Sequence, residues 1–199
     1  MKKMLPPTLS AAVLSAALFA ALSGAPALAA PIAYKIDPSH LSVAFIVNHL
    51  GFSNLIGRFN SAAGDLSFDK DAVEKSSVTM SIDAASVDTN FAKRDDHLRS
   101  PDFFNAKEFP KMTFKSTKIE KTGDKTGVLH GEFTLLGVTK PLVLNVTFNK
   151  DGVSAASKQE TAGFSARGTL KRSDFGMKFG VPYIGDDIEL LIDAEAIKS

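Results

Sequence analysis

The four histidines are the side chains of this cysteine-free chain best suited to bind a metal or to exchange a proton near neutral pH. They are His40, His49, His97 and His130, and no two of them are spaced as His-x-His or His-x-x-x-His. His40 and His49 fall on one predicted strand at opposite parity, so they face opposite ways. We therefore predict no metal site, because zinc or copper would need ligands from distant strands.

Serines and paired carboxylates also lack the arrangement that catalysis requires. Residues 51–55 and 163–167 approach the nucleophile motif Gly-x-Ser-x-Gly but lack its last glycine. Residues 95–96 and 186–187 are adjacent aspartates, whose side chains diverge on a helix or a strand. A phosphate-binding loop and a Gly-x-Gly-x-x-Gly motif are absent from the sequence. The sequence therefore predicts no catalytic residue, no cofactor and no enzyme activity.

The densest group of polar side chains lies at residues 93–99, Lys-Arg-Asp-Asp-His-Leu-Arg. On a helix, Arg94 and His97 would share one face, and Asp95 and Arg99 would form an i,i+4 pair. One interpretation is a capping segment whose charges bind it to the rim of the fold. The other is a polar gate, at which Arg94, His97 or Arg99 contacts the head group of a ligand.

The elements that must position these groups are β-strands. Apolar and polar residues alternate with a period of two, which predicts strands with one buried face. The clearest such segments are residues 77–83, 128–135, 142–148 and 187–196. Less regular strands are predicted at residues 32–36, 41–49, 62–68 and 162–170 and from residue 112, with a bulge between Phe59 and Gly64. Residues 89–105 break the alternation and predict one or two short helices, capped at Asp88 or Thr89 and at Ser100.

Many short antiparallel strands must protect their edges, either by closing into a barrel or by stacking as a sandwich. An eight-stranded barrel is just wide enough for its own side chains or, where these are small, for one ligand. The apolar faces carry both small residues and phenylalanines. This composition fits close packing as well as a cavity, so the pattern alone leaves the lumen either open or self-filled.

Strand parity, with Phe103 from the helical segment, identifies the side chains that would line such a lumen and bind a ligand. They are Val43, Phe45, Val47, His49, Leu66, Phe68, Met80, Ile82, Phe103, Phe114, Phe133, Leu135, Leu144, Val146, Phe164 and Leu190.

The first 29 residues are typical of a cleaved signal peptide. Lys2 and Lys3 precede a short apolar run, and residues 27–29 fit a small-x-small cleavage site. We expect residues 1–29 to be removed and residues 30–199 to form one domain that works in the periplasm. Removal would leave 21 basic and 22 acidic residues, a near-neutral balance that does not favour nucleic acid as a partner. No later apolar run is long enough to span a bilayer, so we expect a soluble rather than a membrane-embedded protein.

Four segments, in order, resemble the YceI-like proteins. They are an opening pattern over residues 36–59 (IDPSH, then Phe45, His49 and GRF), residues 94–104 (RDDHLRSPDFF) continued by 109–114 (FPKMTF), residues 131–141 (GEFTLLGVTKP) and residues 172–177 (RSDFGM). The resemblance implies a lipocalin-like, eight-stranded antiparallel barrel that is secreted to the periplasm and carries long apolar chains, notably polyisoprenoids. It also suggests a homodimer, and it brings no established catalytic residues.

We therefore expect a periplasmic binding or carrier protein that holds a polyisoprenoid, a prenyl quinone or a fatty acid or amide in the barrel lumen. One alternative is a non-catalytic, stress-related module whose barrel is filled by its own side chains. The other is an enzyme acting on a bound lipid or quinone, which would need a buried acid or base such as His49 beside a carboxylate.

Overall fold

The computed structural model describes Met1 and residues 30–199. The predicted signal peptide therefore lies, apart from Met1, outside the described residues, and its cleavage stays a prediction. The strands are β1 (Ile32–His49), β2 (Ser53–Phe59), β3 (Ala62–Phe68), β4 (Ser77–Asp83), β5 (Val87–Asp88), β6 (Lys111–Lys121), β7 (Thr126–Leu135), β8 (Val138–Val153), β9 (Glu160–Lys171) and β10 (Ile184–Lys198). One α-helix, α1, spans Ala92–Arg99, and three short 3-10 turns span Val73–Lys75, Ala84–Ser86 and Arg172–Phe175.

Eight of these strands close into a ring in the order β1-β3-β4-β6-β7-β8-β9-β10, and β10 pairs back to β1. Every neighbouring pair is antiparallel. The predicted eight-stranded antiparallel barrel is thus confirmed. Closure satisfies the backbone groups that open sheet edges would expose. It depends on β1, which is long enough to pair with β10 along one edge and with β3 and then β2 along the other.

The wall is interrupted between β2 and β3. A bulge was expected between Phe59 and Gly64, but the structure has a break at Asn60 and Ser61. The break forms because the Asn60 N–H donates to Ser86 O at 3.1 Å, outside the ladder with β1. β2 then pairs with the two-residue β5 rather than with β4. This brings the segment that carries α1 against the barrel.

Of the one or two short helices predicted for residues 89–105, one forms, which is α1. Beyond it the Ser100 carbonyl accepts from the Phe103 and Asn105 N–H groups in successive turns, not in a second helix. The predicted cap at Asp88 or Thr89 is wrong, since Phe91 occupies the N-cap and gives no side-chain hydrogen bond. Within the described residues, no helix is both long and apolar enough to cross a bilayer.

The barrel has two ends of different character. We call the end that carries α1, the β1–β2 turn and the β9–β10 loop the helix end, and the opposite end, with the β3–β4 and β6–β7 loops, the far end. The larger apolar cluster lies toward the helix end, and a smaller one around Tyr34, Ile36 and Phe68 lies toward the far end. Side chains of both clusters line the cavity described below.

Candidate functional site

The barrel encloses an apolar cavity of about 960 Å³. All sixteen side chains predicted to line the lumen lie on its wall, both the fifteen identified by strand parity and Phe103. They meet there because side chains two apart on a strand face the same way, and closure turns those faces inward. Their role in binding a ligand stays a prediction.

The wall holds more side chains than we predicted. Several belong to the same alternating faces, so parity could have identified them: Val78, Leu142, Phe148, Ala166, Leu170, Ile188, Ile192 and Ala194. Met177, Phe179 and Ile184 come instead from the β9–β10 loop or from the residue where β10 begins. No periodicity marks that loop in the sequence, so pattern analysis could not have found its three side chains.

Small residues on the wall do not all enlarge the cavity. At Gly131, an added Cβ would lie 2.7 Å from the Lys115 carbonyl oxygen and still closer to the Phe114 ring. Gly57 is likewise covered by the Phe45 ring. These glycines therefore let phenylalanines lie close against neighbouring strands, and the open volume remains elsewhere in the lumen.

At the helix end, Arg94 and His97 both line the cavity. The Arg94 Nε donates to Thr89 Oγ1 and its Nη2 to Thr89 O, each at 2.7 Å, while the guanidinium lies 5.5 Å from the Phe91 ring centre. These bonds hold the Arg94 guanidinium in one position beside the cavity.

His97 is held as firmly as Arg94. Its Nε2 lies 2.8 Å from Asp102 Oδ2, and its ring meets those of Phe103 and Phe179 edge-on at 5.0 and 5.2 Å. The arrangement gives the helix end a basic side that faces an apolar chamber.

Arg99, the third residue predicted for the head group, does not line the cavity. Its Nε donates to Ala85 O at 2.8 Å and its Nη2 to Val87 O at 3.0 Å, which attaches α1 to the preceding segment. The expected Asp95–Arg99 pair is also absent, because Arg99 contacts Asp96 at 3.0 Å. Asp95 is buried and accepts from Thr89 instead. Each interpretation of residues 93–99 therefore fits a different residue. Arg99 attaches the helix to the preceding segment, and Arg94 faces the lumen.

Arg172 is a polar wall residue that sequence reasoning missed. It is 3% exposed, and its guanidinium donates to Gly185 O at 2.8 Å, Ile184 O at 3.0 Å and Met177 O at 3.1 Å. Burial lowers the pKa of Arg172 below its ordinary value, and the negative charge of Asp186 opposes that shift. The only signal for Arg172 was its place in a segment resembling the YceI-like proteins.

Outside the cavity, His40 lies near a serine and an aspartate on the barrel surface. Its Nδ1 lies 2.7 Å from Asp37 Oδ2 and 3.1 Å from Ser39 Oγ. In a catalytic triad the serine and the aspartate contact different ring nitrogens, so this cluster lacks the geometry for nucleophilic catalysis. Among the described residues, no group of three His, Cys, Asp or Glu side chains is placed to hold a metal.

The Asp37–His40 pair should titrate abnormally. Hydrogen bonds from His40 and then Ser39 lower the pKa of Asp37 from 3.8 to about 2, and Asp37, followed by the charge of Glu195, raises the pKa of His40 above 6.5. The Asp37 contribution to stability is present above pH 3.8 and is lost as pH falls through about 2. The His40 contribution is present below pH 6.5 and is lost as pH rises through the raised pKa.

In His40→Ala, we expect NMR titration to show the pKa of Asp37 rising toward 3.8. An unchanged pKa of Asp37 in that variant would show that the hydrogen bond does not form in solution.

Comparison with known proteins agrees with this architecture. The profile of the YceI-like domain matches residues 34–196. A UPF0312 protein of Pseudomonas aeruginosa is 40% identical over 197 residues, which cover 98% of this chain and 100% of the relative. The crystal structure of the Campylobacter jejuni YCEI protein has a TM-score of 0.70 and 36% identity, with 76% of this chain and 90% of that chain covered.

A more distant structure shares the fold alone. It is a Saccharophagus degradans domain described as a polyisoprenoid binding domain implicated in plant cell wall breakdown, with a TM-score of 0.61 and 16% identity. The alignment covers 84% of this chain and 99% of that one. The domain match over nearly the whole described barrel, together with the extent and identity of the Pseudomonas alignment, shows that this chain belongs to the YceI family.

Proposed function

We propose that this chain is a periplasmic binding or carrier protein that holds a long apolar chain in its barrel lumen. The cargo would be a polyisoprenoid, a prenyl quinone, or a fatty acid or amide. The observation that carries this proposal is the cavity of about 960 Å³ with its almost wholly apolar wall. Its volume lies near the top of the range of about 300–1,000 Å³ found for small-molecule sites. The fold shared with the Saccharophagus polyisoprenoid binding domain supports the same class of ligand.

The hydrophobic effect sets a lower limit on the length of the cargo. Each methylene moved from water into the lumen contributes about 0.8 kcal/mol, so ten carbons contribute about 8 kcal/mol. Association itself costs about 4–15 kcal/mol in lost freedom. A contribution of about 8 kcal/mol falls within that range, so a ten-carbon chain does not reliably offset the cost, whereas about twenty carbons contribute about 16 kcal/mol and exceed even its upper end. This balance favours isoprenoids and long acyl chains over short metabolites.

Recognition of a head group would fall to the helix end. Arg94 and His97 are positioned by Thr89 and Asp102 at the cavity wall, and Lys93 lines it beside them. Basic groups of this kind suit a phosphate, a carboxylate, or the oxygen of an amide or quinone. Arg99 does not belong to this set because it does not line the cavity and its guanidinium binds the carbonyls of Ala85 and Val87 instead.

The alternatives stated from the sequence have less support. A barrel filled by its own side chains does not agree with the observed cavity. Enzyme activity would need a buried acid or base, such as His49 beside a carboxylate. Among the described residues the carboxylate contacts of the histidines belong to His40, His97 and His130. His97 lines the cavity, but its side chain is 46% exposed rather than buried. A homodimer stays a prediction, which sedimentation of the purified protein would test.

Titration of delipidated protein with a long-tailed prenyl quinone tests the proposal against the same quinone without its tail. We expect one-to-one binding of the long-tailed compound, with a negative heat-capacity change from burial of apolar surface. The compound without a tail should bind at least about 100-fold more weakly, since it loses more than 3 kcal/mol of buried methylenes. Equal affinity for the two compounds, or binding of neither, would rule out a lumen that holds the chain.

A further inference from the structure

Large apolar side chains are exposed in a group around the helix end of the barrel. We call them the apolar rim: Leu50, Phe52, Phe91, Phe179 and Tyr183. Phe52 is 90% and Tyr183 73% exposed. At the far end, the exposed apolar side chains of this size include Ile32 and Val153, one on each of two strands. Grouped exposed apolar side chains mark an interaction surface, whereas scattered single ones are ordinary.

The β1–β2 turn exposes its apolar residues at an energetic cost. Leu50 has φ 57° and Gly51 φ 75°, a left-handed pair that favours Asn-Gly over Leu-Gly. The turn nevertheless carries Leu50 and, beside Gly51, the exposed Phe52. The Leu50 N–H donates to Tyr183 O at 3.0 Å, so the turn and the β9–β10 loop are joined. The hydrogen bond holds these apolar side chains on one side of the molecule.

The rim is continuous with the cavity. Phe91 and Phe179 are half-exposed to solvent and also line the cavity wall. Phe179 packs against Phe103 at a ring distance of 5.2 Å, and Phe103 is buried on the same wall. Phe91 and Phe179 thus connect the apolar rim with the lumen.

Basic side chains predominate on the cavity wall beside this surface. They are Lys93, Arg94 and the buried Arg172, and no acidic residue of the described wall lies at the helix end. At the far end the wall carries both signs, Lys70, Lys121 and Lys125 together with Asp71, Glu120 and Asp124. Cations beside exposed aromatic rings match the interface of a bilayer with anionic phospholipids, where rings enter the head-group layer and cations contact phosphates.

We propose that the apolar rim docks on an anionic lipid bilayer, so that a long chain passes between membrane and lumen without crossing water. The inference rests on the proposed function, because it assigns the route by which the same cavity is filled and emptied. The proposed partner of the apolar rim is a membrane rather than a second copy of the chain, and the experiment below distinguishes these two partners.

The absence of tryptophan from the sequence makes a site-specific reporter possible. Phe52→Trp puts the reporter in the rim, and Val153→Trp puts a matched reporter at the far end, where Val153 is 64% exposed. Vesicles would contain two parts phosphatidylethanolamine to one part phosphatidylglycerol. We expect the Phe52→Trp emission to move to shorter wavelength and to be quenched by brominated lipid, with the Val153→Trp emission unchanged. Unchanged emission from both reporters, or equal changes in both, would overturn the proposal. A change in Phe52→Trp that follows protein concentration without vesicles would assign the rim to a second copy.

The double variant Leu50→Asn with Phe52→Ser separates docking from cargo binding. It creates an Asn-Gly turn, so the fold should be retained. Vesicle binding should weaken by about tenfold or more through loss of the Phe52 ring, while affinity for prenyl quinone delivered from cyclodextrin stays unchanged. Vesicle binding that equals that of the parent protein would overturn the proposal.

The two proposals can also fail separately. If no quinone is taken up while Phe52→Trp still enters vesicles, the proposed function fails and docking stands. If quinone is taken up and the reporter stays in water, docking alone fails.

Discussion

Replacing Ala166 by tryptophan is expected to lower the affinity for a long apolar chain by about 100-fold or more while the barrel stays folded. Ala166 lies on β9, is only half-buried, and lines the cavity between Val146 of β8 and Ile192 of β10. An indole there would point into open volume rather than into packed side chains. If it displaces about four methylenes of cargo, about 3 kcal/mol of binding is lost. Titration with the prenyl quinone measures the effect.

Thr169→Trp is the matched control for this variant. Thr169 lies on the same strand at opposite parity and is exposed, so an indole there leaves the cavity unchanged. Its quinone affinity should equal that of the parent protein, and thermal unfolding of both variants should remain cooperative. Unimpaired binding by Ala166→Trp would mean that the cargo does not occupy this part of the lumen.

Arg172→Met should lower the free energy of unfolding by about 3 kcal/mol, the largest stability effect we expect from a single polar side chain. The change leaves the buried carbonyl of Met177 and the partly buried carbonyls of Ile184 and Gly185 without their donor. Each buried unsatisfied group costs about 1–3 kcal/mol, and release of the buried charge returns part of that cost. Urea unfolding with an unchanged slope and a lower midpoint is the expected result.

Arg167→Met tests whether this effect depends on burial. Arg167 lies on β9, the strand that ends just before Arg172, is exposed, and pairs with Asp193 at 2.8 Å. A surface ion pair of this kind contributes about 1 kcal/mol at most. If both methionine variants shift the midpoint by the same small amount, the Arg172 bonds do not stabilise the β9–β10 loop.

Most strands and most of the cavity wall followed from alternation, because a period of two shows which side chains share a face without any knowledge of pairing. The short strands β2 and β5 were not predicted. Closure did not follow from local pattern. The pairing of Tyr34 with Lys198 joins opposite ends of the described chain, and no local signal records it. β1 was predicted as two strands, yet it is one, with irregular pairing to β10 between Ile36 and Leu41.

The polar residues were harder to predict than the apolar ones. Helix periodicity grouped Arg94 with His97, and both line the cavity. It could not tell that Arg99 would bind the carbonyls of Ala85 and Val87, because those carbonyls become available only where β5 leaves the barrel wall. A basic residue after a strand also suggests solvent exposure, so Arg172 gave no sign of its burial.

The most direct test of the central claim is to identify what the protein carries when it is purified from a periplasmic fraction without detergent. Native and denaturing mass spectra would be compared for the parent chain and for Ala166→Trp, and the released compound would be extracted and identified. We predict a co-purifying mass near one-to-one in the parent, released on denaturation as a prenyl or long acyl chain, and depleted in Ala166→Trp. A parent protein that is empty, and that also refuses prenyl quinones and fatty amides on titration, would contradict the account.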